Sequence, residues 1–326
     1  MRVLVVTIDT EEEGRWSSSY PADGHTCENI LRLDRVQRIF EKLGVIPTYL
    51  VDHPVVVDQR AREVIRDYAR RGRAEIGAHL HPWCNPPFSA VHARTPDPTY
   101  PHLLPTELQL EKLEVLCSRI GDLTGARPTS YRAGRWGFDH TSIPALERVG
   151  IRIDTSVTPL WWDPAPGGPS FARASSEPYW LDPRDATRPG RSHVLEIPMG
   201  GVVVGPIGRV VESGIRWIGP FPGGRSLLVR LGARFLRPEL YDERQMRQAA
   251  DCMAERGLEV FNVMFHSSVV LPAATPYVRD ESDLTRFCDR LEGILRHVVE
   301  RHGARPLPLS SVPPVLSRIR GESAAA

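Results

Sequence analysis

Two histidines in alternate positions, His79 and His81 in Ala74-Glu75-Ile76-Gly77-Ala78-His79-Leu80-His81-Pro82-Trp83, follow an apolar run and carry the clearest chemical signal in the chain. In extended backbone, residues i and i+2 project to one side, so both imidazoles can offer nitrogens to one divalent ion at roughly 2.0–2.1 Å. A second set of ligand-type groups stands near the N-terminus, where Arg2-Val3-Leu4-Val5-Val6-Thr7-Ile8 delivers Asp9, Thr10 and Glu11. Asp9 and Glu11 share a side, and acids at the end of a buried strand lie at the rim where α/β folds build their sites. For Glu12 or Glu13 the reading is a solvated acid at the start of a loop. Arg132, Asp154 and His266 fall at the ends of three further predicted strands. This set suits hydrolysis: carboxylate and imidazoles hold an ion, another acid takes a proton from water, and a separate histidine protonates the leaving group.

The elements that must position these groups alternate along the chain. Helical spacing over Leu31–Leu43 ends at Gly44, and a strand follows over Val45–Val51. A helix near Val57–Arg71 closes at Gly72 and precedes the strand that ends at His79. Thr106-Glu107-Leu108-Gln109 has capping-box spacing and opens the next helix, before a strand over Ser130–Ala133. A short helix over Ser142–Val149 leads into Ile151–Ile153, and a helix near Glu243–Arg256 leads into Val260–Phe265. This β-then-α repetition predicts a parallel sheet with helical crossovers, closed toward a barrel, and no Gly-x-Gly-x-x-Gly follows the first strand to favour a dinucleotide fold. Three segments interrupt the pattern, at about 85–105, 159–189 and 200–238; the last is read as a helical lid or a dimer contact. A single catalytic domain over 1–315 and a flexible tail over 316–326 complete the expected organisation.

Composition narrows the function classes. Hydrophobic residues make up 41% and charged residues 25% of 326, as in a globular protein, and a net charge of +1 supplies no field for nucleic acid. No transmembrane run and no export signal are visible, so a cytoplasmic location is expected. Five scattered cysteines suit reduced thiols.

Five motifs in fixed order make the chain resemble the polysaccharide deacetylases of the NodB-homology type, carbohydrate esterase family 4: Thr7-Ile8-Asp9-Thr10-Glu11, Glu75 to Pro82, Arg132-Ala133-Gly134-Arg135-Trp136-Gly137, Asp154-Thr155-Ser156, and Met264-Phe265-His266. The resemblance implies a distorted (β/α)7 TIM-like barrel and a metal-dependent deacetylase that releases acetate from an N-acetylated amino sugar. It assigns Asp9 as general base, Glu11, His79 and His81 as metal ligands, Arg132 as the partner of the base, and Asp154 as the carboxylate that orients His266, the general acid. A backbone N–H near Arg135 or Trp136 would hold the oxyanion. Zinc is the leading ion, with nickel, cobalt or iron accepted by the same ligands. Trp83, Trp136 and Trp161 are candidate sugar-stacking surfaces. Two departures from the family pattern stand out: Thr10 separates the acids, leaving the roles of Asp9 and Glu11 exchangeable, and one residue rather than three separates the histidines. Two rival readings are a hydrolase of a non-sugar amide or cyclic imide on the same fold, and a glycan-binding protein with a degenerate site. A homo-oligomer remains open.

Overall fold

The computed structural model describes residues 1–14, 16, 20–95 and 97–320. Its strands are β1 (Arg2–Thr10), β2 (Thr48–Val51), β3 (Glu75–Leu80), β4 (Ser130–Ala133), β5 (Ile153–Asp154), β6 (Tyr179–Asp182), β7 (Asp185–Pro189), β8 (Leu195–Glu196), β9 (Gly201–Val203), β10 (Ala233–Phe235), β11 (Val260–His266) and β12 (Ala304–Pro306). The main sheet runs β11-β1-β2-β3-β4-β5-β8-β6-β7. Its first seven members pair in parallel, whereas β6 and β7 continue it antiparallel. The expected seven parallel strands are present as a curled, open half-barrel whose free side is extended by a hairpin.

The helices are α1 (Asp34–Lys42), α2 (His53–Val57), α3 (Gln59–Arg70), α4 (Ala90–Arg94), α5 (Thr106–Thr124), α6 (Ile143–Val149), α7 (Gly208–Ile218), α8 (Gly224–Arg230), α9 (Glu243–Glu255), α10 (Glu281–His302) and α11 (Pro313–Arg320). Alternation along β1 shows how the sheet partitions its neighbours. Leu4, Val6 and Ile8 join the large core under the helices, while Val3 and Val5 belong to a second cluster with Ile153, Ile197, Leu309 and Leu316. On that second face Thr7 and Asp9 come next, so polarity rises toward the C-terminal rim. The floor is apolar and the mouth carries the chemistry, as expected for strands covered on both faces.

Two expectations about the elements change. Helix α5 begins after Pro105 without a side-chain cap, and the Thr106 hydroxyl instead donates to the Thr141 carbonyl at 3.3 Å. Residues 316–320 are helical in α11, with Leu316 buried in the floor cluster; the rest of the predicted tail, 321–326, lies outside the described residues. The three insertions acquire structure of their own: α4 lies in the first, an isolated bridge between Trp162 and Ser170 and the β6–β7 hairpin in the second, and β9, α7, α8 and β10 in the third.

Candidate active site

Strand register assembles the site. Asp9 is the Cα partner of His266, and His79 that of Arg132. Glu11 follows β1 directly, and His81 follows β3. The acids and imidazoles therefore meet at one rim, although 68 positions separate Glu11 from His79 in the chain. Glu11, His79 and His81 are all buried. Their ligand atoms converge: His79 Nε2 and His81 Nε2 lie 3.5 and 3.3 Å from Glu11 Oε2.

The tautomers matter here. His79 Nδ1 lies 2.9 Å from the Arg132 carbonyl oxygen, which can only accept, so Nδ1 carries a proton and, in the neutral ring, Nε2 is the nitrogen with a lone pair for an ion. His81 Nδ1 faces Glu12 Oε2 at 3.3 Å and Asp52 Oδ2 at 3.4 Å, a carboxylate contact that fixes it in the same way. Two lone pairs and a carboxylate oxygen then point at one another out of contact with water. Such a cluster is repulsive unless a cation or a proton sits in it, and ligands at about 2.05 Å on a tetrahedral ion are spaced by about 3.3 Å. The residues fit a divalent metal.

Behind them lies a layer that the sequence did not disclose. Glu12, expected as a possible solvated acid, is fully buried. It accepts from Trp83 Nε1 at 3.2 Å as well as facing His81. Asp52 accepts from the Glu12 amide and caps α2, and burial together with the Glu12 charge pushes its pKa well above the carboxylate range. Trp83 stacks on His81 with centroids 4.3 Å apart, so much of the ring predicted to meet substrate is covered by that imidazole. Gly134 lets β4 pass close by: a Cβ there would lie 2.3 Å from His81 Cδ2 and 2.5 Å from the Leu80 carbonyl oxygen. Gly134→Ala is accordingly expected to displace His81 and weaken metal binding by at least about 10-fold, read by competition with a chromogenic chelator.

Two other groupings of ligand-type residues are less suited to an ion. Glu12, Asp52, His81 and Cys84 cluster, but Glu12 and Asp52 are already engaged by Trp83, His81 and backbone amides. His297 Nε2 and His302 Nε2 both lie 2.8 Å from Asp251 Oδ1, a hydrogen-bond distance, and Arg301 Nε pairs with the same oxygen at 3.4 Å.

Asp9 and His266 stand side by side, with His266 Nε2 3.7 Å from Asp9 Oδ2. Burial raises the Asp9 pKa, but the Arg132 guanidinium, His79 and His266 outweigh it and hold the carboxyl ionised far below its usual range. Arg132 Nη1 donates to Asp9 Oδ1 at 2.5 Å, and its other nitrogens donate to Thr7 and to the Thr155 hydroxyl and carbonyl. That leaves Asp9 Oδ2 as the oxygen facing the cavity and His266.

The carboxylate on His266 is Glu239, not Asp154. Glu239 Oε1 and Oε2 lie 3.0 and 3.2 Å from His266 Nδ1, and Arg237 pairs with the same carboxylate. Asp154 instead accepts from the Ser156 hydroxyl at 2.6 Å and amide at 3.2 Å, and that hydroxyl in turn accepts from the Ala133 amide. Asp154 braces the end of β4, facing Glu196 across the β5–β8 pair, where burial and the Asp154 charge raise the Glu196 pKa well above the carboxylate range. A charged residue at a strand end marked the right rim for Asp154 but the wrong partner. Glu239 lies in an irregular segment after β10, where no periodicity points to it; its acidity within a stretch rich in arginine and apolar residues was the available signal.

The cavity over these groups measures about 120 Å³ and is lined by Asp9, Glu11, His79, His81, His266, Trp16, Tyr20, Trp83, Arg135 and Trp136. Arg135 and Trp136, at φ of 53° and 58°, form a left-handed turn on its rim, a conformation that costs non-glycine residues about 1–3 kcal/mol each and often marks a functional loop. Trp16, Trp136 and His266 also border an adjoining chamber of about 440 Å³, whose walls include Trp161, Leu160, Met199, Phe235, Tyr241 and Tyr277. Trp161 therefore faces the chamber rather than the ligand set, with the Arg225 guanidinium 5.0 Å from its ring centroid.

No protein-family model matches the chain, and no curated protein matches it. Solved structures do. A protein from Mycobacterium smegmatis, provisionally assigned as a polysaccharide deacetylase, aligns with a TM-score of 0.55 at 13% identity, over 100% of this chain and 93% of that one. A protein from Parabacteroides distasonis, provisionally assigned as a glycoside hydrolase/deacetylase, aligns with a TM-score of 0.64 at 12% identity, over 97% and 71% of the two chains. At such identities the likeness is one of fold, and the chain has the distorted-barrel fold of the polysaccharide deacetylase type.

Proposed function

We propose that the protein is a metal-dependent amide hydrolase that removes the acetyl group from an N-acetylated amino sugar. The observation that carries this reading is the convergence of His79 Nε2 and His81 Nε2 on Glu11 Oε2, each within 3.5 Å of it, beside an ionised acid and a carboxylate-held histidine. Glu11, His79 and His81 would hold one divalent ion, with Zn²⁺ the leading choice, which when bound supplies Lewis acidity to a water and to the amide carbonyl. Asp9 Oδ2 is placed to take the proton of an attacking water while Arg132 keeps Oδ1 fixed. Glu239 holds His266 Nδ1, so Nε2 carries its proton toward the cavity and can pass it to the departing amine. Trp136 and Trp161 offer aromatic faces for the sugar, and the rim around Arg135 and Trp136 is where a backbone donor would meet the oxyanion.

The test is to strip the protein with chelator, restore single metals, and measure acetate release from N-acetylglucosamine glycosides and nucleotide- or lipid-linked forms. Restored turnover on these substrates supports the proposal; a protein that never holds a stoichiometric ion ends it. The apolar walls of the chamber favour a second reading, hydrolysis of a non-sugar amide or cyclic imide, so such compounds belong in the same screen.

A pH profile tests the acid. Burial would lower the His266 pKa, but Glu239 outweighs it, helped by Glu11 and Asp9, and holds it up at about 9. His266 is then protonated below that value and loses its proton as the pH rises through it, so activity should be full near neutrality and fall at alkaline pH. Glu239→Gln keeps a hydrogen-bond acceptor but removes the charge. The alkaline limb of kcat should move down by at least about one unit, because the burial penalty then acts with less opposition. An unmoved limb would remove Glu239 from the role of positioning His266.

A further inference from the structure

In the segment from β9 to β10, α8 lends Arg225, Leu228 and Val229 to the chamber wall and α7 shares an apolar cluster with it through Ile215, and the outer surface of the pair is unlike the rest of the molecule. Helix α7 has two apolar faces. Val211 and Ile215 pack inward, whereas Val210, Trp217 and Ile218, with Ile207 before the helix, point outward at 73, 83, 58 and 56% exposure. Their spacing of 207, 210, 217 and 218 is that of a single helical stripe. Leu227, Val229 and Leu231 extend the exposed apolar surface over α8. Arg209 on α7 and Arg230 on α8 are exposed as well, and among the described residues neither has a carboxylate partner, although most of the arginines on α1, α3 and α10 are ion-paired. The one acid in the stretch, Glu212, is buried and paired with Arg256.

Exposed tryptophan and aliphatic residues beside unpaired arginines are what an interfacial helix needs, because the apolar face enters the acyl boundary while guanidinium groups meet lipid phosphates. No helix among the described residues is long and apolar enough to cross a membrane, so such a face would lie on the surface of one. An open cavity of about 920 Å³, lined by Pro220, Phe221, Pro222 and Arg230, shares Arg225 and Val229 with the chamber that reaches His266. Val229, half-exposed, thus belongs both to the exposed patch and to the wall of the chamber beside the candidate site.

We propose that the outer face of α7 and α8 docks on an anionic lipid bilayer, placing the chamber mouth at the membrane surface. The docking does not depend on the reaction performed, so its test needs no substrate. The full chain is mixed with sucrose-loaded vesicles of phosphatidylcholine alone, or with about one third phosphatidylglycerol, and sedimented. Wild type is expected to pellet with the anionic vesicles at least 10-fold more strongly than with the zwitterionic ones, and to be released by high salt. Val210→Ser with Trp217→Ser should abolish the binding, and Arg209→Gln with Arg230→Gln should weaken it at least 5-fold; both pairs are exposed, and circular dichroism checks that the fold is kept. No binding by wild type, equal binding to both vesicle types, or a salt-sensitive dimer formed through the same residues with no vesicle binding, would each overturn the proposal.

Discussion

Replacing His79 with alanine is expected to abolish stoichiometric metal binding and to lower turnover by at least about 1,000-fold, while leaving the chain folded. The side chain contributes in two directions. Its Nδ1–H satisfies the Arg132 carbonyl at 2.9 Å, and losing that buried bond costs about 1–3 kcal/mol. Against this, its Nε2 lone pair crowds Glu11 Oε2 at 3.5 Å, and removing it relieves repulsion in the metal-free protein. Apo stability should therefore change by no more than a few kcal/mol. The difference appears when metal is added. Wild type should gain about 2.7 kcal/mol of stability at an ion concentration 100 times Kd, and the variant should gain almost none. Even outer-shell changes cost about 10–100-fold in metal affinity, so deletion of one of three protein ligands should exceed that range. Thermal melts with and without zinc, together with metal analysis, make the comparison. A variant that keeps one ion per chain would show that His79 is not a ligand and would leave the proposed chemistry without its centre.

How far the site was legible follows from what holds each residue in place. Asp9, His79, Arg132 and His266 were readable because each ends an apolar strand, and parallel pairing of β11, β1, β2, β3 and β4 brings such ends to one rim. The sidedness of Glu11 and His81 followed from the two-residue period of extended chain. Glu12, Asp52 and Glu239 were not readable as partners of the histidines, because their roles depend on contacts 69, 29 and 27 positions away that no periodicity encodes. The predicted link from Asp154 to His266 failed for the same reason. A strand end predicts which rim a charged group occupies, whereas its partner depends on loop paths that leave no periodic trace. Insertions behaved likewise: the 200–238 segment was expected as a lid or a contact, and only its folded form separates the inward apolar face of α7 from the outward one.

Asp9→Asn should retain the ion and lose about 100- to 10,000-fold in kcat, the range expected when a positioned general base is removed. The substitution also has a structural cost that must be measured apart from the chemical one. Arg132 is fully buried, and breaking a buried ion pair by removing one partner costs about 3–5 kcal/mol. Here the cost should fall at the lower end, because Arg132 also donates to Thr7 and Thr155, and the asparagine carbonyl can still accept from Nη1. The sign of the pH effect separates charge from shape. Because the Asp9 pKa is depressed in the folded state, its charge adds stability that is present above the unfolded value of about 3.9 and is lost as the pH falls through the folded one. Wild type should therefore lose more stability than the variant between neutrality and strongly acid pH, and the two should converge in acid. Metal analysis then decides between the two carboxylates. Retention of the ion with collapsed turnover assigns the base to Asp9 and the ligand to Glu11, whose Oε2 is the oxygen on which both imidazoles converge. An emptied site would reverse the assignment, making Asp9 a ligand and leaving Glu11 as the group that must accept the proton from water.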